Sequence, residues 1–433
     1  MRNINVGIIG FGTVGSGVIR ALLEKRSYIK RRLGAFVNIV KVCDKDLRRR
    51  RSIKLDKNIL TKNPNDVINN PNIDIVVELV GGISPAREFI LSAIANKKHV
   101  VTANKALLSE NKKDFFKAAD RSGVELRFEA SVGGGVPIIK ALREGLVANK
   151  VNSIYGIING TCNYILSEMT EKDISFNAAL LEAQKKGYAE RKPELDIEGY
   201  DSSHKLAILA SIGFGIDVKP KDIYVEGITN ISGSDIRYAK DFGYVVKLLA
   251  IAKKIGRELE VRVHPTLVPS KHPLASVSSN FNAIFLNTDM MGETLFYGQG
   301  SGSAPSASAV ISDIVDVARN IIGASTIKVP SIVYDMQVDR IKKQKDFYTS
   351  CYIRFSAIDK PGVLARISKI LSQYRISIAS VSQKIRRRER IVPIIMMTHV
   401  AEERALSRAL ESIDKLNIIR KKSVVIRSEK DLG

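Results

Sequence analysis

Residues 4–15 read INVGIIGFGTVG: an apolar, β-branched stretch runs directly into glycines at positions 10, 12 and 15. No other stretch constrains the fold as tightly. A buried strand that ends in G-x-G-x-x-G and opens a helix is the first half of a βαβ unit, because a parallel partner strand needs a crossover. Gly10 makes the turn, Gly12 lets the backbone approach an anionic group, and Gly15 lets the helix close on the strand. The helix N-terminus adds free N–H groups and a partial positive charge.

Four more runs keep the pattern: FVNIVKVC (36–43), IDIVVELV (73–80), HVVTA (99–103) and VELRFEA (124–130). Each is a continuous apolar run bounded by turns or charges, as strands buried on both faces are. Amphipathic helical segments such as SPAREFILSAIANKK lie between them. Strand and helix in alternation predict an α/β fold with a doubly wound, Rossmann-type parallel sheet, and with it a dinucleotide site. At the end of the second strand stands CDKDLRRRR. Asp44 there suits a ribose 2′-OH and favours NAD, whereas Lys45, Arg48 or Arg49 suits a 2′-phosphate and favours NADP. Cations outnumber acids, which tilts the expectation to NADP or dual use without deciding it.

From about residue 131 the pattern changes. Glycine-rich turns (SVGGGVP, IINGTCN, GQGSGSAP) alternate with helices and strands, VVKLLAIAKK reading as a helix and LEVRVHPTLVP as a strand. KKQKD, 342–346, reads as a linker. Beyond it the pieces YTSCYIRFSAI, VLARISKILSQY, ISIASVSQKI, IVPIIMMTHV, EERALSRALESI and IIRKKSVVIR follow in the order βαββαβ, a ferredoxin-like unit. The expected division is 1–130 for the dinucleotide, 131–340 as an α+β domain for substrate, catalysis and dimerisation, and 347–433 for the ferredoxin-like module. A chain of 433 residues is long enough for such a set.

Bulk properties exclude several classes. No apolar run approaches the ~20 residues that span a bilayer, and MRNINVGIIGFG lacks the cleavage site of a secretory signal, so a cytoplasmic protein without a membrane partner is expected. Cys43, Cys162 and Cys351 are far apart and odd in number, which supports neither a disulfide framework nor a zinc site. The formal net charge is +23, with bursts at Arg48–Arg51, 384–390 and 420–422. These bursts lack interleaved aromatics or any finger or zipper pattern, so they read as solvated turns and no nucleic-acid partner is expected. A positive field also favours anionic cofactors and substrates.

Hydride transfer to a carbonyl needs a proton donor for the developing alkoxide. Two lysines sit where one would be. Lys105, in VTANKALL, follows the C-terminal end of a strand, the ligand side of an open α/β sheet. Lys205, in GYDSSHKLAIL, lies four residues after Asp201 on one helical face. Such pairs are usually surface ion pairs. Here the loop YAERKPELDIEG brings Glu190, Glu194, Asp196 and Glu198 to the helix start, and Leu206, Ile208 and Leu209 follow the lysine. A lysine between an acidic loop and a core helix is partly desolvated, which makes it a better proton donor. His204 points about 100° away from Lys205 on a helix and reads as a bystander; His264 and His272 read as strand-end and turn residues.

Those stretches carry a resemblance. GFGTVGSGV, VELVGGISPAREFI, KHVVTANKALL, FEASVGGGVPII, INGTCNYIL, GYAERKPELDIEGYDSSHKLAILA and PSASAVISDIVD are similar to homoserine dehydrogenases over about residues 1–325, and DKPGVLARI resembles an ACT regulatory module. The resemblance implies reversible reduction of L-aspartate 4-semialdehyde to L-homoserine with NADPH or NADH, in threonine, methionine and isoleucine biosynthesis. By position it implies Lys205 as proton donor and Lys105 as second lysine at the carbonyl. Glu190 and Asp201 would bind substrate, supported by Asp196. Phe11, Thr13, Val14 and Gly15 would line the phosphate turn, with Gly187 and Gly302 near nicotinamide and substrate. A monovalent cation such as Na+ would rest on main-chain carbonyls of Glu129, Val132, Gly134 and Val136. A homodimer or homotetramer and an amino-acid effector, threonine by pathway logic, are implied too. Departures are Arg191 and Lys192 after Glu190, Cys162 for a more usual threonine, and a GSG late glycine loop; none removes a catalytic group.

Overall fold

The computed structural model describes the chain except residues 1–2, 52, 325–331, 333–337, 384–390, 431 and 433. The basic run 384–390 therefore lies outside the described residues. In chain order the first third gives β1 (Ile4–Ile9), α1 (Thr13–Glu24), α2 (Arg26–Leu33), β2 (Val37–Cys43), β3 (Leu60–Thr61), α3 (Asn65–Ile68), β4 (Ile75–Glu78), α4 (Ala86–Ala95), β5 (His99–Thr102), α5 (Lys105–Ser122), β6 (Leu126–Arg127) and α6 (Ile138–Lys140). There follow β7 (Val151–Ile157), α7 (Gly160–Lys172), α8 (Phe176–Lys185), α9 (Glu194–Ile197), α10 (Tyr200–Phe214), β8 (Tyr224–Val225), α11 (Gly233–Asp241), β9 (Tyr244–Ile255), β10 (Glu258–Pro269), β11 (Phe281–Thr288), β12 (Gly292–Gln299) and α12 (Ser303–Ile322). The last part holds β13 (Arg340–Ile341), β14 (Tyr348–Ile358), α13 (Val363–Gln373), β15 (Ile378–Ser382), β16 (Ile391–Thr398), β17 (Ala401–Glu402), α14 (Glu403–Asp414) and β18 (Ile419–Ser428).

Packing divides the chain into two compact units that interleave along the sequence, 1–151 with 204–220 and 282–337 in the first, 152–203 with 221–281 and 338–433 in the second. Neither follows the divisions 1–130, 131–340 and 347–433. In the first unit the sheet runs β3-β2-β1-β4-β5-β6, every paired neighbour parallel. The order reverses between β1 and β4, which is the switch point where such sheets open a crevice. Ile4, Val6 and Ile8 of β1 are buried, and α1 (Val18, Ile19, Leu22) and α12 (Val310, Ile314, Val317) share their core. The helix at 303–322 thus belongs to the dinucleotide fold, far from it in sequence.

The second unit is built on a sheet in the order β7-β9-β10-β18-β14-β16-β15. The segment VVKLLAIAKK, expected as a helix, is the strand β9, paired antiparallel with β10 from Tyr244↔Pro269 to Ile255↔Glu258 around Gly256, whose φ is 60°. A run that is apolar on every side fits a strand buried on both faces as well as a buried helix, and Val246 to Ala252 are all buried. His264 is correspondingly mid-strand and fully buried, not at a strand end.

The last module has the expected βαββαβ order, with β18-β14-β16-β15 antiparallel throughout. Helices α13 and α14 cover one face through Ile367, Leu371, Leu406 and Ile413. The other face of β14 meets α11: Tyr352 Oη and Arg354 Nε donate to Asp235 at 2.9 and 2.6 Å. β18 also pairs with β10 in parallel, Thr266↔Arg427 and Leu267↔Ser428. The module is therefore continuous with the sheet preceding it, and residues 342–346 are no free linker: Lys342 is half-buried and reaches Glu260 at 3.1 Å. All three cysteines are buried and none is in a disulfide, and burial pushes the Cys43 thiol up to about 11.

Candidate active site

The glycine turn has the shape a dinucleotide needs. Gly10 has φ 112°, and a Cβ on it would lie 2.6 Å from the Leu79 backbone. A Cβ on Gly15 would meet the Gly10 carbonyl oxygen at 2.0 Å, so the helix can close on the strand only over glycine. At Gly12 a Cβ meets nothing within 4 Å, leaving room over the helix terminus. The N-cap Gly12 has no side chain to cap α1, so no cap group stands between the helix N-terminus and an anionic ligand. A cleft of about 290 Å³ opens beside the turn, lined by Gly10, Gly12, Asp44, Lys45, Lys62 and Val80 among others.

Asp44 holds that turn in place. Its carboxylate accepts from the Phe11 amide at 2.7 Å and the Asp46 amide at 2.8 Å and pairs with Arg51 at 3.3 Å. Arg51 in turn donates to the Phe11 carbonyl at 2.8 Å and stacks over the Phe11 ring. Of the cations weighed for a 2′-phosphate, Lys45 lines the cleft together with Lys62, which the sequence did not single out; the main-chain amides of Arg48 and Arg49 donate to Asp46 Oδ1 at 3.0 and 3.1 Å. The late glycine loop closes on the same turn: Gly302 has φ 127°, and the neighbouring Ser303 hydroxyl donates to the Thr13 carbonyl at 3.0 Å.

Lys105 is set by a buried polar chain within the first unit. Glu78, at the end of β4 and fully buried, accepts from Thr102 Oγ1 at 2.7 Å and from the Val80 amide at 2.7 Å. Thr102 Oγ1 accepts the Asn104 amide, and Asn104 Oδ1 caps α5 at the Leu107 amide at 3.2 Å. Lys105 is therefore the first residue of a helix whose start is fixed. Seven residues on, buried Lys112 donates to the Val218 carbonyl at 2.5 Å and pairs with Asp217 at 3.0 Å, tying α5 to the chain that leaves α10. Lys205, on α10, is 9% exposed and followed by Leu206 to Ala210, all buried. His204 is half-buried.

In the second unit the predicted acids fall into two groups. Glu190 is exposed, as are Arg191 and Lys192; Gly187 turns the chain after α8 with φ 76°. Asp196 and Asp201 are drawn together by Asn159, whose Nδ2 donates to Asp196 Oδ1 at 2.7 Å and to Asp201 Oδ2 at 2.9 Å. Thr161 Oγ1 bonds the Tyr188 carbonyl at 2.6 Å and reaches Asp196 Oδ2 at 3.4 Å, and the Cys162 thiol lies on the Asp196 carbonyl at 3.1 Å. Asn159 and Thr161 stand in INGTCN, where the sequence offered only a glycine turn.

The loop Glu129–Val136 has the backbone a cation site on carbonyls needs. Gly133 and Gly134 have φ 71° and 62°, and a Cβ on Gly134 would strike the Gly300 carbonyl at 2.4 Å. The Glu129 carboxylate accepts the Ile139 and Lys140 amides at 2.9 and 2.7 Å, and Asp313 accepts the Glu129 amide at 2.8 Å. Burial first pushes Glu129 up to about 7 and Asp313 up to about 8, the latter also through the Glu129 charge. A cation beside this pair would relieve both. The Glu129 and Val136 carbonyls each accept one amide, from Val132 and Ile138, and keep a second lone pair.

Comparison with known proteins identifies the domains of the chain. The homoserine dehydrogenase model matches residues 137–315, the homoserine dehydrogenase NAD-binding domain 10–129, and the ACT domain 352–417. A homoserine dehydrogenase of Neisseria gonorrhoeae is 42% identical over 432 residues, covering 99% of both chains. One from Pseudomonas aeruginosa is 42% identical over 438 residues. The crystal structure of a homoserine dehydrogenase from Thiobacillus denitrificans superposes with a TM-score of 0.92 at 44% identity, over 100% of this chain and 99% of that one. A hyperthermophilic archaeal homoserine dehydrogenase in complex with NADPH matches 73% of this chain and 98% of its own at 26% identity, TM-score 0.63. Among the described residues no helix is long and apolar enough to cross a membrane.

Proposed function

The chain belongs to the homoserine dehydrogenase family, an oxidoreductase with a nicotinamide-binding domain and an ACT domain, and we propose that it interconverts L-homoserine and L-aspartate 4-semialdehyde with NADP preferred over NAD. The observation that carries the cofactor preference lies at the end of β2: Asp44 lines the cleft but is bonded to the Phe11 and Asp46 amides and paired with Arg51, while Lys45 and Lys62 line the same cleft as cations. Two ammonium groups favour a 2′-phosphate over a bare ribose hydroxyl.

The bound nicotinamide supplies the hydride acceptor or donor. Lys205 passes a proton to the alkoxide that develops at C4 as the aldehyde is reduced, and takes it back in the reverse direction. Its burial supports that role, because an ammonium with little water around it acts on the charge nearest to it. Lys105 binds the same oxygen as a second cation. Asp201 and Glu190 receive the substrate ammonium group, with Asp196 behind them. The carbonyls of Glu129, Val132, Gly134 and Val136 would hold a monovalent cation such as Na+, which would steady the loop that abuts the late glycine loop. Residues 1–130, 131–340 and 347–433 serve as cofactor, substrate and regulatory regions in a cytoplasmic homodimer or homotetramer, and threonine acts through the ACT domain. Initial rates with homoserine and either NADP or NAD, with and without threonine, test the reading. Turnover with NADP at the lower KM supports it; no turnover with either cofactor would overturn it.

A further inference from the structure

We propose that Asn159 is the positioning residue for substrate binding: its side-chain amide clamps Asp196 and Asp201 into one anionic seat for the substrate ammonium group. The inference rests on the homoserine dehydrogenase reading above and adds a residue to it. Two carboxylates bonded to the same nitrogen, at 2.7 and 2.9 Å, stand close enough to repel. Asp201 is 5% exposed and Asp196 half-buried, so water screens the repulsion poorly.

Asn159 suits the task because all of its hydrogen-bonding capacity has a fixed direction. Both hydrogens of Nδ2 go to the acids, and Oδ1 accepts the Cys162 amide at 2.8 Å as the N-cap of α7. The amide orientation follows from this set, since carboxylates only accept and a main-chain amide only donates. The residue is 4% exposed and sits at the end of a buried run from β7, so the clamp is anchored at both ends. The two acids approach from different elements. Asp196 belongs to α9, a single turn bracketed by Pro193 and Gly199 and bonded through the Ile197 carbonyl to the Ile228 amide at 2.8 Å. Asp201 lies in the first turn of α10, the helix that also carries Lys205. One neutral donor therefore sets the approach of a short, otherwise adjustable turn to the helix of the proposed proton donor. It does so without adding a cation that would compete with the substrate's own.

The cap and the clamp are separable. Asn159→Asp keeps an acceptor for the Cys162 amide but faces the two acids with a third carboxylate. Asn159→Ser keeps a good cap and is too short to reach either acid. Both variants are expected to stay folded by circular dichroism, to keep the KM for NADP within about twofold, and to raise the KM for homoserine. The rise is roughly 10- to 100-fold, the range set by hydrogen bonds to charged groups, and is larger for Asn159→Asp. Asn159→Gln, which restores the donor on a longer arm, recovers part of the affinity. Wild-type turnover of homoserine is measured first, so that failure of the family activity is seen separately. If the wild type turns over and Asn159→Asp and Asn159→Ser keep its KM for homoserine, Asn159 is a helix cap only and the proposal falls. It falls equally if KM for homoserine and for NADP rise together.

Discussion

Arg427 offers the sharpest test of how the ACT module is joined to the rest of its unit. The residue lies on β18 and is 5% exposed. Its Nε and Nη2 bond Glu403 at 2.7 and 3.0 Å, Nη1 bonds Glu226 at 2.7 Å, and the guanidinium stacks over the Tyr224 ring at 4.8 Å. Glu403 is on the module's own helix, whereas Glu226 and Tyr224 precede the module by over a hundred residues. Arg427→Met leaves Glu403, 2% exposed, still accepting from Thr349 Oγ1 at 2.8 Å but without its guanidinium. Removing one partner of a buried pair costs about 3–5 kcal/mol. For a unit of about 200 residues that is a loss of roughly 6–20 °C in thermal midpoint. Scanning calorimetry of the full chain reads it, since two interleaved units need not melt as one. The double variant Arg427→Met with Glu403→Gln removes the stranded charge and recovers at least half the loss. A midpoint within about 2 °C of wild type, or a double variant worse than the single, would refute a strong joint. The same joint makes cutting the chain near residue 340 a poor probe of regulation, because β10 would lose β18 as its neighbour.

Other expectations follow from the first unit. Glu129 and Asp313 hold protons to about pH 7 and 8 in the fold but release them near pH 4 when unfolded, so the folded unit binds more protons between those limits. Its stability is full at acid pH and falls as pH rises through about 8; Asp313→Asn, which still accepts the Glu129 amide, flattens that fall in thermal melts. Sodium chloride against choline chloride at equal ionic strength narrows the fall in the wild type, and no difference between the salts argues against the cation site. Lys45→Ala with Lys62→Ala raises the KM for NADP about tenfold or more and leaves that for NAD within twofold; an equal rise in both would remove the 2′-phosphate reading. Lys105→Ala lowers kcat by orders of magnitude in the same initial-rate assay while cofactor affinity is kept.

The legible parts of the fold were those whose signal is local. β1, β2, β4 and β5 are continuous apolar runs closed by glycine or charge, and parallel strands buried on both faces read that way. The same reading misled at β9, whose run is equally apolar: pairing with β10 decided its state, and pairing is not written in period. Interleaving was invisible for a related reason. The apolar face of α12 shows that the helix packs, but not that it packs on α1, about 290 residues earlier. Of the candidate site, the glycine turn at Gly10 and Gly15 and the helical settings of Lys105 and Lys205 were legible because their backbone context is sequential. The cleft position of Lys62 and the hydrogen bonds of Glu78 and Asn159 were not, since folding delivers those neighbours. LTKN at 60–63 held a clue, a cation just beyond a short strand, but one no different from many surface lysines.

In the mechanism proposed above, Lys205 moves the proton in homoserine oxidation. Lys205→Ala should bind NADP with an affinity within about twofold of wild type and lose kcat by 10²- to 10⁴-fold, the usual contribution of a positioned acid or base. Unchanged kcat at saturating homoserine, with NADP bound normally, would contradict it.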